Sequence, residues 1–368
     1  MSNVPLVDLA AQHNEIVDEV MSGFERVMSA TAFVGGPDVE AFENEFASYC
    51  HAAHCVGVAN GTDAIEIALK AGGIEPDDEV IVPANTFIAT VGAVHRTGAR
   101  PILVDCDAEH LLIDPMLAEK AITNRTTAVV GVDLYGQLAP LDQLHEIIGD
   151  RDIAVFEDAA QSQGATRFGD PMGTGAKAAA TSFYPGKNLG AYGDAGAIIT
   201  DDEELAATAR AMANHGGVRK YEHRVPGFNS RLDTLQAVVL RAKLARLDGW
   251  NEARRRAAAR YDELLAPLAE VGRVPVAEGN VHVWHLYVIR VPERDRVLAE
   301  LNAAGIGAGI HYAAPVHLTD AFRFLADGPG SFPNAEAASR EMISLPIHPH
   351  LAIEDQDRVV EALIGALR

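Results

Sequence analysis

The chain has 368 residues, with 30 Lys or Arg against 52 Asp or Glu, a formal net charge of −22. That balance repels polyanions, which argues against nucleic acid and anionic lipid surfaces as partners, so a phosphate-bearing ligand must be met by a local device. The length suits one large and one smaller domain, and a hydrophobic fraction of 48% is ordinary for a globular enzyme.

The opening MSNVPLVDLAAQHNEI has neither a basic region nor an apolar run, and no stretch is apolar for long enough to span a bilayer. Cys50, Cys55 and Cys106 are scattered, without CxxC spacing, which suits a reducing compartment rather than a disulfide framework. The expectation is an unprocessed cytoplasmic protein with no membrane segment.

Helix and strand patterns then alternate. A helix is expected over 62–71, stopped by Gly72-Gly73, then a strand at 79–82, a helix at 87–97 and a strand at 101–104. Asp114-Pro115 opens a helix to 122, and Pro140-Leu141-Asp142 another to 148, with a strand at 127–132 between them. Strands follow at 153–156, 179–183 and 197–200. Such alternation implies a mostly parallel sheet covered on both faces. A helix pattern over 233–247 and the charged run NEARRRAAARYDELLAPLAE lead into a second domain, with a strand at 285–291 and helices at 294–304 and 354–367. The expected division is a large domain with an N-terminal arm over 1–248 and a smaller α+β domain over 249–368.

Three segments carry chemistry. In Ala59-Asn60-Gly61-Thr62-Asp63-Ala64 a glycine turn runs straight into a helix, and the free N–H groups there form an anion site without a basic side chain. The plain alternative is that Thr62 or Asp63 caps the helix. In IAVFEDAAQ a buried strand ends at Asp158, where ligands of open α/β sheets gather; a carboxylate there can keep a pyridine nitrogen protonated, or it can simply cap a helix. In TSFYPGKNLG a single lysine, Lys187, stands among Gly, Pro, Ser and aromatic residues. A desolvated pocket would lower its pKa toward a nucleophilic amine, whereas an ordinary loop lysine would be solvated. Each segment supplies a part that the other two lack.

At these residues the chain resembles the DegT/DnrJ/EryC1/StrS sugar aminotransferases, within fold type I of the pyridoxal-phosphate (PLP) enzymes. The likeness runs from VGGPDVEAFENEFA to SLPIHPHL, and its most specific marks are ANGTDAIEIAL, EDAAQSQGA, SFYPGKNLGAYGDAGA and GFNSRLDTLQA. It implies an aspartate-aminotransferase-like α/β fold with a mostly parallel seven-stranded sheet. It also implies that Lys187 is the Schiff-base lysine and proton shuttle, that Asp158 pairs with the pyridine nitrogen, that Gln161 lies near the ring hydroxyl and that Phe87 stacks on the ring. The phosphate would sit on the Gly61, Thr62 and Asp63 backbone and on Ser182. Asn229 would reach the phosphate of a neighbouring subunit, and Arg231 would offer a fork to a donor carboxylate, which makes a homodimer with shared sites the expected assembly.

The resemblance further implies L-glutamate as amino donor, cycling between PLP and pyridoxamine phosphate, and a nucleotide-linked keto sugar as acceptor. The motifs look most like enzymes acting on dTDP-3-keto-6-deoxyhexoses, with a 4-keto-6-deoxyhexose or a UDP-linked 3-keto uronate as alternatives. Tyr184, Tyr221, His311, Tyr312 and His317 would contact sugar or diphosphate, although Ala313 stands where relatives usually carry proline. Related dehydratases lack the lysine. A non-catalytic regulatory protein on the same fold would have little reason to keep Asp158, Ser182 and Lys187 together. The 14 histidines show no recognisable metal spacing, so no metal is expected.

Overall fold

The computed structural model describes residues 3–219 and 221–368. A seven-stranded sheet organises most of them: β1 (His54–Val58), β2 (Glu79–Pro83), β3 (Arg100–Val104), β4 (Thr126–Val132), β5 (Ala154–Asp158), β6 (Ala178–Ser182) and β7 (Gly196–Thr200). Their spatial order is β1-β7-β6-β5-β4-β2-β3. β2 to β6 pair in parallel, and β7 runs antiparallel to both β6 and β1. The expected mostly parallel sheet is therefore present, with one reversed strand near its edge.

Side chains sort by the two-residue period of a strand. Val80, Val82, Ala128 and Val130 enter one apolar cluster with Ile67, Leu69, Val91 and Val94. Their neighbours Ile81, Val129 and Val155 enter another with Leu141, Leu144 and Ile148. Burying each such side chain contributes roughly 2 kcal/mol, and because both faces are covered, the strands read as continuous apolar runs.

β1 was not anticipated from its sequence. HCVGV is short and interrupted by Gly57, so it shows neither alternation nor a continuous apolar run. The glycine has a packing reason: a Cβ there would lie 2.8 Å from Leu232 Cβ. The helix expected over 233–247 is two helices, Thr234–Leu244 and Leu247–Leu265. The second crosses residue 248 and serves two cores, placing Leu247 against Phe42 and Phe183, and Ala258, Tyr261 and Leu265 against the smaller sheet.

That smaller sheet joins Gly272–Arg273, β8 (Tyr287–Arg290) and β9 (Met342–Leu345), all antiparallel. Helices Arg294–Ala303 and Ile353–Ala366 pack with it. No helix among the described residues is long and apolar enough to cross a membrane.

Candidate active site

A cavity of about 480 Å³ opens at the carboxyl ends of the parallel strands, where open α/β sheets gather their ligands. Asp158 closes β5, Ser182 closes β6, and Thr86 and Phe87 follow β2, so three chain segments converge on one space.

One wall is the start of helix Gly61–Ala71. Asn60 caps it, accepting the Asp63 N–H at 2.9 Å and donating to the Asp63 carboxylate at 3.1 Å. The Asp63 amide is thus engaged in the cap, and its carboxylate also lies 3.6 Å from Arg96. The amides of Gly61 and Thr62 remain as orphan donors at the positive end of the helix dipole. Gly61 permits the wall to approach Ser182, since a Cβ at Gly61 would stand 2.5 Å from Ser182 Cβ. Gly196 does the same beneath it, where a Cβ would meet the Asn60 carbonyl at 2.6 Å. Orphan amides, a hydroxyl and two obligatory glycines make a cradle of the kind that holds phosphate.

The floor holds the charged pair. Asp158 is buried, with Oδ2 accepting the Thr90 hydroxyl at 2.6 Å and Oδ1 accepting the Ala160 N–H at 3.2 Å. Burial raises its pKa, while those hydrogen bonds and the Lys187 charge pull the other way. Lys187 stands on the tight turn after β6, with its own N–H donating to the Tyr184 carbonyl at 2.8 Å. Enclosure by protein pushes its ammonium down to about 8, against the opposing pull of Asp158. A lysine in that condition spends an appreciable fraction of its time as a free amine near neutral pH, which nucleophilic attack on a carbonyl requires.

The turn is anchored from afar. Asn188 donates to Asn251 Oδ1 and to the Val283 carbonyl, each at 2.9 Å, and Asn251 in turn donates to the Gln163 carbonyl at 2.9 Å.

The side walls are aromatic and polar. Gln161 accepts the Tyr135 N–H at 2.6 Å and donates to the Tyr312 hydroxyl at 3.1 Å. The Phe87 and Tyr312 rings lie 5.1 Å apart, and Phe87 is 48% exposed, so it faces the cavity rather than the core. Tyr184 lines the rim, as does His311, whose Nδ1 pairs with Ser344 Oγ at 2.8 Å; burial lowers His311 to about 4. His285 also lines the cavity and is kept neutral chiefly by burial.

Four expected residues lie outside this cavity. Asn229 is exposed and bridges to Asn214, to which Arg231 also donates at 3.2 Å. Tyr221 is 87% exposed. None of the three lines the cavity of its own chain. His317 does not line the cavity: its ring is enclosed against Phe332, with Nε2 3.2 Å from the Glu336 carboxylate. Conversely, the sequence reading passed over Asn60, Thr90 and His285. Asn60 stands three residues before Asp63, a cap spacing, and Thr90 lies one helical turn beyond Phe87; His285 offered no local signal.

A mostly parallel sheet covered on both faces, a depressed lysine near a buried strand-end carboxylate and a cradle of helix amides and a hydroxyl define a PLP-dependent aminotransferase of fold type I. The comparisons narrow the class. Residues 14–364 match the DegT/DnrJ/EryC1/StrS aminotransferase family, and the chain belongs to it. It is 46% identical over 98% of its length, and 95% of the relative's, to the dTDP-3-amino-3,4,6-trideoxy-alpha-D-glucose transaminase of Streptomyces venezuelae. It is 40% identical to the UDP-2-acetamido-2-deoxy-3-oxo-D-glucuronate aminotransferase of Pseudomonas aeruginosa, over 95% of this chain and 96% of that one. The solved structure of S. venezuelae DesV in complex with a ketimine intermediate superposes with a TM-score of 0.98 at 45% identity, covering all of both chains.

Proposed function

We propose that the chain transfers an amino group from L-glutamate to a nucleotide-linked 3-keto-6-deoxyhexose, carried on dTDP. The observation that carries the reading is the geometry of Lys187, a depressed amine beside Asp158 and across from the Gly61–Ser182 cradle. The choice of sugar rests on the S. venezuelae relative; the P. aeruginosa relative supports a UDP-linked 3-keto uronate as the second reading.

The residues fit the cofactor. Gly61 and Thr62 N–H groups with Ser182 Oγ would hold its phosphate, Asp158 its pyridine nitrogen, and Phe87 its face, with Gln161 beside the ring edge. When bound, pyridoxal phosphate supplies a carbonyl carbon for the amine and a ring that stores the electron pair of the broken C–H bond. Asp158 would keep a proton at the ring nitrogen, aided by Thr90, whose hydroxyl fixes the carboxylate's orientation. Lys187 Nζ, a depressed amine at the floor of the cavity, would hold the cofactor's carbonyl carbon and serve as the group that accepts and returns a proton there. Tyr184, Tyr312 and His311 shape the mouth through which the sugar enters.

Two-fold pairing belongs to the same proposal. Among the described residues, the cavity of one chain presents no arginine to a donor carboxylate or a diphosphate. Asn229 and Tyr221 are exposed and Arg231 is half-buried, all three outside the cavity of their own chain, where a second copy could meet them. The division at 248/249 is likewise part of it, supported by the separate apolar cluster around β8 and β9. So is a cytoplasmic location, supported by three buried free cysteines.

The test is a panel of dTDP-linked 3-keto, dTDP-linked 4-keto and UDP-linked 3-keto sugars added to the pyridoxamine-loaded protein. The dTDP-linked 3-keto sugar should restore the cofactor's visible band fastest, and a Lys187→Ala variant should lose turnover by about a thousandfold or more. Recovery of the band with no sugar, or full turnover in that variant, would end the proposal.

A further inference from the structure

His285 lines the cavity, yet the proposed chemistry gives it no part. Its ring is aimed by an unusual piece of backbone. Trp284, just before it, takes a left-handed φ of 48°, a conformation that a bulky residue adopts only where its surroundings hold it. Here they do: the Trp284 N–H donates to His282 Nδ1 at 2.8 Å, and its carbonyl accepts from Arg254 Nη1 at 3.0 Å. On either side, the Val283 N–H donates to the Gly136 carbonyl at 2.9 Å and the Leu286 N–H to the Tyr135 carbonyl at 3.1 Å. Gly136 has a φ of 116°, and a Cβ there would stand 2.8 Å from the His285 backbone nitrogen.

The hydrogen bonds of Asn188 decide which nitrogen of that ring carries the proton. Both hydrogens of the Asn188 amide are spent, on Asn251 Oδ1 and on the Val283 carbonyl, each at 2.9 Å. A backbone carbonyl only accepts, and Asn251 turns its own amide nitrogen to the Gln163 carbonyl, so the orientation of both amides is fixed. Asn188 Oδ1 is therefore the acceptor in its 3.3 Å contact with His285, and Nδ1 is the donor. Burial, with the Lys187 and Arg254 charges, holds the imidazole well below its ordinary 6.5, so the ring is neutral. A neutral ring protonated at Nδ1 carries a bare lone pair on Nε2. That atom has no partner among the described residues, and it is not sealed in protein.

Asn188 adjoins Lys187 in sequence, so a ring tied to it stands at the reactive end of the cavity. Other buried acceptors there are engaged within the chain: Asp133 takes the Ala139 N–H and the Ser162 hydroxyl, and Gln161 Oε1 takes the Tyr135 N–H. Of the groups that the proposed reaction brings in, carboxylate, phosphate and diphosphate only accept, whereas the amine and the sugar hydroxyls donate. A neutral acceptor suits such a place, since a carboxylate in its stead would repel those anions. We propose that His285 is a specificity-determining residue, its Nε2 accepting a hydrogen bond from a sugar hydroxyl on a carbon next to the one that is aminated. The inference rests on the aminotransferase reading and deepens it. The amino group takes part in both half-reactions, but the hydroxyls belong to the sugar alone, and that difference can be measured.

The variant H285N puts an amide nitrogen where Nδ1 stood, so it can still donate to Asn188, but it places no acceptor where Nε2 stood. The pyridoxamine-loaded wild type and H285N are each given a dTDP-linked 3-keto-6-deoxyhexose and its 2-deoxy and 4-deoxy analogues, and the return of the cofactor band is timed in a single turnover. The wild type should slow about tenfold with one of the two analogues, and H285N should treat that analogue and the parent sugar alike. H285N should also slow the sugar half-reaction about tenfold more than the L-glutamate half-reaction, which brings no hydroxyl to the site.

Wild-type rates that ignore both missing hydroxyls overturn the proposal even if H285N fails to fold. A preference that H285N keeps in full overturns it too. Equal slowing of the two half-reactions in H285N does the same, because it puts the effect on the amino group or on the lysine turn. A protein whose cofactor band responds to neither L-glutamate nor the parent sugar sinks the proposed function, while calorimetric binding of the three sugars to the wild type and H285N still decides the hydroxyl contact.

Discussion

The floor of the cavity and the 214–231 segment differ in what each needs to be complete. Lys187, Asp158, Gly61 and Ser182 are held by one chain through buried hydrogen bonds and glycines with no room for a side chain. Asn229 and Tyr221 are exposed and Arg231 half-buried in the single chain, away from the cavity they are expected to serve. The cofactor cradle is built within one chain, whereas under the proposed pairing the grip on the donor and on the phosphate's outer side would come from a second copy.

Substitutions can break this contrast in order of effect. Asp158→Asn should lower turnover by about a hundredfold or more, since it removes a preorganised charge from the floor. Because Asp158 raises the Lys187 pKa, its loss should also move the pH for half-maximal Schiff-base formation below about 8; stopped-flow cofactor capture across pH would reveal a shift in the opposite direction if the sign is wrong. Gly61→Ala should weaken cofactor binding about tenfold to a hundredfold, from roughly 1–3 kcal/mol of overpacking against Ser182. Titrating the cofactor-free protein measures it, and unchanged affinity would remove the cradle from the phosphate site.

The smallest effects compare two residues that the sequence treated alike. Arg231→Ala should raise the KM for the amino donor about tenfold while leaving the unfolding temperature of the chain unchanged, because its one hydrogen bond to Asn214 is solvent-exposed. His317→Ala should do the reverse, costing about 1–3 kcal/mol of stability with turnover per folded molecule intact. Equal kinetic defects in the two variants would show that His317 reaches the substrate after all.

Much of the floor could be read from the sequence because its signals are local. A glycine before a helix, an acid at a strand end and a lysine among small residues each lie within a few positions of their own secondary-structure cue. Asp63 is less legible for the opposite reason: whether its amide is free depends on the rotamer of Asn60, which a motif does not specify. His317 shows the same limit at longer range, since Glu336 and Phe332, which enclose it, come from another segment. β1 escaped notice because packing against Leu232, and not strand propensity, makes Gly57 acceptable there.

The double anchor of Asn188 bears on the order in which the molecule can be assembled. Its partners Asn251 and Val283 lie 63 and 95 residues further along the chain. During synthesis the sheet through β7 can therefore be complete while the lysine turn still lacks the contacts that set its shape. The reactive amine acquires its final surroundings only after the chain has passed Val283, so carbonyl reactivity at Lys187 arrives late in folding, on a scaffold that is already closed around it.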